Sequence, residues 1–173
     1  MSKEKLLVIG SSELVSVGRR AIGVPAKIDT GADTSSIWAS NIRVDRDGVL
    51  KFSLFGEGSE YYNGKIYKRT NYKVAVVRNA NGHEQIRYRT HFAITMAGRK
   101  IRVLLNLSDR SRNNYPVLIG RRTIANKFLV DVSKKAISYP KIARTKRLNR
   151  ELQRSPYEFH KKYAKNMTGR MKK

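Results

Sequence analysis

Ala26-Lys27-Ile28-Asp29-Thr30-Gly31-Ala32-Asp33-Thr34-Ser35-Ser36-Ile37 puts an acid at the end of an apolar strand and follows it with Thr, Gly and a cluster of small residues. A carboxylate in that place is unusual, because charge is seldom carried next to a core without a partner or a use. Alone, the triplet Asp29 to Gly31 reads equally well as an ordinary turn aspartate bonding its own backbone. The context comes about ninety residues later, in Tyr115-Pro116-Val117-Leu118-Ile119-Gly120-Arg121-Arg122-Thr123-Ile124. There an apolar run again ends in Gly, is followed by Arg, and opens a short helical pattern.

Outward from these blocks, Lys5 to Ser138 is a series of short β-branched and aromatic runs. They include Val15-Ser16-Val17, Val49 to Phe55, Tyr72 to Val77, Ile86 to Met96 and Ile101 to Leu107, punctuated by Gly, Asn and Asp. Phe92-Ala93-Ile94-Thr95-Met96 and Ile101-Arg102-Val103 alternate apolar with polar, the period that lays one strand face on a core. The pattern predicts an all-β sandwich or barrel. Asn79-Ala80-Asn81-Gly82 separates two runs, and Asn-Gly tolerates the positive φ angles of tight turns, so a hairpin tip is expected there.

The 173 residues carry 37 Lys+Arg against 13 Asp+Glu, a net charge of +24 that favours polyanionic partners and says nothing about fold. Residues 141–173 hold twelve basic and two acidic residues, so +10 of that charge sits in the last 33 positions. This segment loses strand alternation and gains helix formers, with Ala143, Leu148, Leu152 and Phe159 spaced loosely for one helix face and Pro156 expected to break it. We expect a β domain over 5–140 and a basic tail over 141–173, helical or disordered. The tail's Tyr157, Phe159 and Tyr163, interleaved with Lys161, Lys162 and Lys165, suit either a solvated end or contact with RNA or ribosome.

The two blocks resemble those of the retropepsins, which pair a DTGA turn with a later run of two apolar residues, Gly and Arg. They are most similar to a bacterial branch often labelled ATP-dependent zinc proteases and linked with ATP-grasp glutamate ligases of the RimK type. That branch carries an AK[IV]DTGA block and, later, an LxDRS block followed by [YF]PxLxGR. Ala26 to Ser36 supplies the first, and Leu107-Ser108-Asp109-Arg110-Ser111 with Tyr115 to Arg121 the second, so the likeness spans about residues 7 to 132. Asp33 stands where that branch often has Arg, and Trp38 where it often has His.

The resemblance implies a closed barrel with a short C-terminal helix and an aspartic endopeptidase with Asp29 as its catalytic carboxylate. Amide hydrolysis needs an activated water and a polarised carbonyl, which two carboxylates sharing one proton supply. Like charges about 3 Å apart do not both ionise cheaply, so such a dyad titrates as a pair and favours acidic to mildly acidic pH. Only one Asp-Thr-Gly is present. The second carboxylate must therefore come from an identical chain across a two-fold axis, and a homodimer is expected.

By the same resemblance, Thr30 hydroxyls bond across the axis and Gly31 lets the two turns approach. Ala32 and Gly120 complete the support, and Asp33 pairs with Arg121 behind the turn. The hairpin Tyr72 to Tyr88, tipped by Asn79, Ala80, Asn81 and Gly82, falls where a flap covers an extended peptide substrate. The rival reading is a catalytically silent module of the same fold, binding RNA, ribosome or a ligase partner through its basic surface.

No cysteine is present, so a disulfide framework and a thiolate zinc site are excluded. His83, His91 and His160 form no H-E-x-x-H pattern, and no Gly-x-x-x-x-Gly-Lys-Ser/Thr loop occurs. No metal and no cofactor is therefore expected, and an ATP link would belong to a ligase partner. No apolar stretch nears the roughly 20 residues of a membrane span, and the N-terminal run is short for a secretion signal. A cytoplasmic location without membrane contact is the expectation.

Overall fold

The computed structural model describes residues 5–78, 82–137 and 143–168, with side chains of the last segment described at 147–163. The chain divides into two compact units, residues 1–137 and 138–173.

The first unit contains β1 (Leu7–Ile9), β2 (Ser12–Val17), β3 (Ala21–Asp29), β4 (Ser35–Val44), β5 (Leu50–Leu54) and β6 (Ile66–Arg69). It continues with β7 (Lys73–Arg78), β8 (Glu84–Met96), β9 (Arg99–Ser108), β10 (Val117–Gly120), α1 (Arg121–Ile124) and β11 (Phe128–Val130). Strands β3, β2, β8, β9, β4 and β10 follow one another around a ring that closes where β10 pairs with both β3 and β4. This unit is thus an all-β closed barrel with one short helix, between β10 and β11. β5 and β6 extend the sheet from β4, β7 pairs with β8, and β1 pairs in parallel with β11.

The alternation seen in the sequence becomes the wall of the barrel. Phe92, Ile94 and Met96 of β8 and Ile101, Val103, Leu105 and Leu107 of β9 are buried, while Ala93 and Arg102 face outward. Ile37, Ile119, Val24 and Phe52 are wholly sequestered beside them. A side chain of that size contributes about 1.5 to 3 kcal/mol on burial. The β8–β9 hairpin turns through Ala97 and Gly98, both at positive φ (49° and 77°), the two-residue geometry that matches strand twist.

Crossover pairing positions the site. β3 runs in parallel beside β10, with Ile28 opposite Ile119 and Asp29 opposite Gly120. β4, leaving the turn after Asp29, returns antiparallel on the other side of β10, with Ser36 opposite Leu118. The two sequence blocks are therefore neighbours, and β10 is wedged between the strands that enter and leave the turn.

The second unit holds α2 (Ala143–Arg154) and α3 (Pro156–Thr168). Pro156 separates them and opens α3, the first helical position where its missing N–H costs nothing. A polar clasp links the two helices. Glu151 Oε1 accepts from Lys162 Nζ at 2.5 Å and Oε2 accepts from Tyr163 Oη at 2.9 Å, while Leu152 stays 41% exposed. The Lys162 ammonium, then the Tyr163 hydroxyl, hold the Glu151 carboxyl below its ordinary range.

Candidate active site

β3 is buried on one face through Val24, Ala26 and Ile28, so period-2 alternation turns Lys27 and Asp29 to the other. The Asp29 side chain is 27% exposed. Its Oδ1 accepts from the backbone N–H groups of Gly31 and Ala32, each at 3.2 Å, which fixes the carboxylate's orientation. Lys27 Nζ stands 3.3 Å from Oδ2. Thr30 and Gly31 are exposed at the crown of the turn, and Ala32 N–H also reaches the Asp29 carbonyl at 3.3 Å.

The turn is gripped from behind by the second block. The Arg121 and Arg122 amides donate to the carbonyls of Ala32 and Asp33, at 2.8 and 3.3 Å. Arg121 Nε reaches Asp33 Oδ1 at 2.9 Å and Arg122 Nη2 reaches Oδ2 at 2.7 Å, so two guanidiniums share one carboxylate. The hydrogen bond from Arg121, followed by that from Arg122, holds the Asp33 carboxyl below its ordinary range. Gly120 is required by space: a Cβ there would lie 2.5 Å from the Thr34 carbonyl oxygen and 2.8 Å from that of Ala32. Its amide donates to Ser35 Oγ at 2.9 Å, and Ser35 Oγ meets Thr123 Oγ1 at 2.7 Å in a buried pair. Asn106 Nδ2 closes the network on Thr34 Oγ1 at 2.9 Å and the Ser35 carbonyl at 3.1 Å.

Two cations that no motif singled out join this site. Lys27 is one. Arg110 is the other, half-buried, donating through Nε to the Tyr115 carbonyl at 3.0 Å and through Nη1 to Ser36 Oγ at 3.2 Å. Burial and then the Arg87 charge lower its pKa, and the Asp29 charge pulls it back up. Both residues stood inside the quoted blocks. Lys27 was detectable from its i, i+2 relation to Asp29, whereas Arg110 needed the three-dimensional approach of its loop to β4.

The hairpin forms as β7 and β8, in register from Lys73 opposite Arg89 to Arg78 opposite Glu84. Of the expected tip, Gly82 is described, at φ 80°, and Asn79, Ala80 and Asn81 lie outside the described residues. Val74, Val76 and Ile86 are 56%, 62% and 70% exposed, with Val76 directly opposite Ile86, so the hairpin carries an uncovered apolar pair. Among the described residues, no three His, Cys, Asp or Glu side chains gather to hold a metal. No described helix is long and apolar enough to cross a membrane.

A closed barrel in which a strand wedged between its neighbours backs an Asp-Thr-Gly turn is a fold of retropepsin-like class. The chain belongs to the RimB-like family, retropepsin-like aspartic endopeptidase RimB, whose model matches residues 8–141. It is 37% identical over 139 residues to a "Probable alpha-L-glutamate ligase" of Shewanella pealeana, covering 77% of this chain and 30% of that protein. A protein of the same name from Desulfotalea psychrophila is 27% identical over 133 residues, covering 72% and 28%. The chain thus spans under a third of the length of these relatives. A crystal structure of a Legionella pneumophila protein of unknown function superposes with a TM-score of 0.59 at 24% identity, covering 76% of this chain and 97% of the other, a likeness of fold.

Proposed function

We propose that the protein is an aspartic endopeptidase, active as a homodimer, in which Asp29 of each chain supplies half of a proton-sharing dyad. The observation that carries this reading is the Asp29 carboxylate, half-buried at the strand end, oriented by two turn amides and backed by a clamp of two arginines. The ionised member of the dyad takes a proton from water as its oxygen attacks the peptide carbonyl carbon. The protonated member gives its proton to the carbonyl oxygen. Collapse of the tetrahedral intermediate breaks the C–N bond and returns a proton to the departing amine. The exposed apolar pair of the β7–β8 hairpin supports a flap that closes over an extended peptide.

The charge around Asp29 supports an acidic substrate. Lys27 stands beside the Asp29 carboxylate and Arg110 interacts with it electrostatically, so two cations attend one carboxylate. The name of the Shewanella relative points the same way, toward peptide chains bearing added glutamates and a working link to an ATP-grasp glutamate ligase. The protein would act in the cytoplasm, where such a ligase finds ATP. The basic hairpin of α2 and α3 is proposed to contact RNA or ribosome.

The test is hydrolysis of a glutamate-rich peptide beside its glutamine counterpart, by wild type and by Arg110→Gln. The reading expects kcat/KM to favour the glutamate peptide and Arg110→Gln to erase the preference. Equal rates on both peptides would remove the acidic specificity, and no hydrolysis of any peptide would favour the silent module.

A further inference from the structure

Behind the catalytic turn, on the outer face of the barrel, lies a half-open cavity of about 220 Å3 between β8, β9 and α1. Arg89, His91, Arg102, Asn106, Arg122 and Lys127 are among its lining residues, and no Asp or Glu is. Strand geometry gathers these groups. Arg89 and His91 sit two apart on the outward face of β8, and Arg89 lies directly opposite Asn106 of β9. Directly opposed residues bring their Cβ atoms to about 5 Å.

Several charges here lack compensation. Arg89 Nε is buried with no hydrogen-bond partner among the described residues. His91 has its pKa lowered by burial and then by the charges of Arg102 and Lys73, so its neighbours already repel a further proton. Arg122 spends one nitrogen on Asp33 and still lines the cavity. Cations brought together without an anion repel one another, and a partly buried guanidinium without acceptors is costly. Asn106, 2% exposed, commits its Nδ2 to Thr34 and Ser35 and leaves Oδ1 an acceptor without a donor.

We infer that this cavity is a second binding site, for a single oxyanion of phosphate or carboxylate type, held by Arg89, Arg102 and Lys127 beside His91. Planar guanidiniums take two oxygens of such a group at once, which chloride cannot offer. A protonated oxygen, as on hydrogen phosphate, also supplies the donor that Asn106 Oδ1 lacks. Because Arg122 is shared between the cavity and Asp33, an occupant is linked to the clamp behind Asp29. The inference does not depend on catalysis: the site would bind its anion in a chain that cleaves nothing.

The experiment is calorimetric titration of the full chain with inorganic phosphate, with sodium chloride holding ionic strength constant. Wild type should bind saturably at one phosphate per chain, and binding should weaken at least about tenfold in Arg89→Gln and in Arg102→Gln, the second an exposed position that spares the fold. Phosphate should also raise the midpoint of the His91 ring-proton titration followed by NMR, a readout that anion binding elsewhere would not move. A glutamate peptide added to the Asp29→Asn protein separates the sources. If it displaces phosphate, the oxyanion is a substrate carboxylate; if phosphate stays bound, it is a free anion; either supports the site. Phosphate binding that survives both substitutions with His91 unmoved, or no binding of phosphate or peptide above chloride, would overturn it.

Discussion

Arg121 Nε and Asp33 Oδ1 meet at 2.9 Å across 88 residues of sequence, tying the block after β10 to the turn after β3. The side chains are 63% and 42% exposed, and Arg122 occupies the other Asp33 oxygen. The pair is therefore a shared surface clamp, whose members lose little singly because water replaces what is removed.

Arg121→Ala should lower the melting temperature only slightly, because Arg122 remains on Asp33. Arg121→Ala combined with Arg122→Ala should cost more than the two single changes added together, the mark of a shared partner. Calorimetric melts of the four proteins measure this, and strict additivity would show that the arginines act independently.

The clamp also has a pH signature. Asp33 has its folded-state pKa below the ordinary 3.8, so its stabilisation is fully present above 3.8 and fades as pH falls through the lower folded value. Wild type should therefore lose more melting temperature between about pH 5 and about pH 2 than the double arginine variant does. Parallel curves would remove the clamp from the acid response.

The two glycines of the site should respond differently. Gly120→Ala drives a methyl into the Thr34 and Ala32 carbonyls and should destabilise the barrel by about 3 kcal/mol, or prevent folding. At Gly31 a Cβ meets only Asp29 Oδ1, at 3.5 Å, an ordinary contact. Gly31→Ala should fold with nearly the wild-type melting profile and, if two turns face each other across an axis, dissociate more readily in sedimentation. A Gly31→Ala protein that dimerises as wild type does would place the axis elsewhere.

The sequence exposed the barrel because its strands are half-buried and alternate, as in Phe92 to Met96, and because tight turns need residues such as Gly98. It exposed Asp29, Gly120 and Arg121 because their chemistry is tied to short motifs. It did not expose the sharing of Asp33 by Arg122, since two adjacent arginines look alike until α1 sets their directions. Nor did it expose the cluster of Arg89 and His91 of β8 with Arg102 of β9, which meets only through β8–β9 register. The tail's helix formers were legible, but the clasp of Glu151 on Lys162 and Tyr163 depends on a chain reversal at Pro156 that no periodicity announces.

Deleting residues 141–173 should leave the barrel folded and small-peptide hydrolysis intact, because the family match ends at residue 141. It should weaken RNA binding sharply, since +10 of the +24 charge is removed, and the lost portion should be steeply salt-dependent. RNA titration at two salt concentrations, with circular dichroism of both proteins, measures this. Equal affinity would make the tail a solvated end, and lost β structure would move the boundary.

The shared dyad is tested most directly by mixing subunits. Wild type and Asp29→Asn chains are combined at fixed total concentration, allowed to exchange, and assayed on an acidic peptide. If each active centre needs Asp29 from both chains, Asp29→Asn alone is inactive and activity falls as the square of the wild-type fraction, to about one quarter in an equal mixture. Activity that falls only to one half, or hydrolysis by Asp29→Asn alone, would contradict the shared centre.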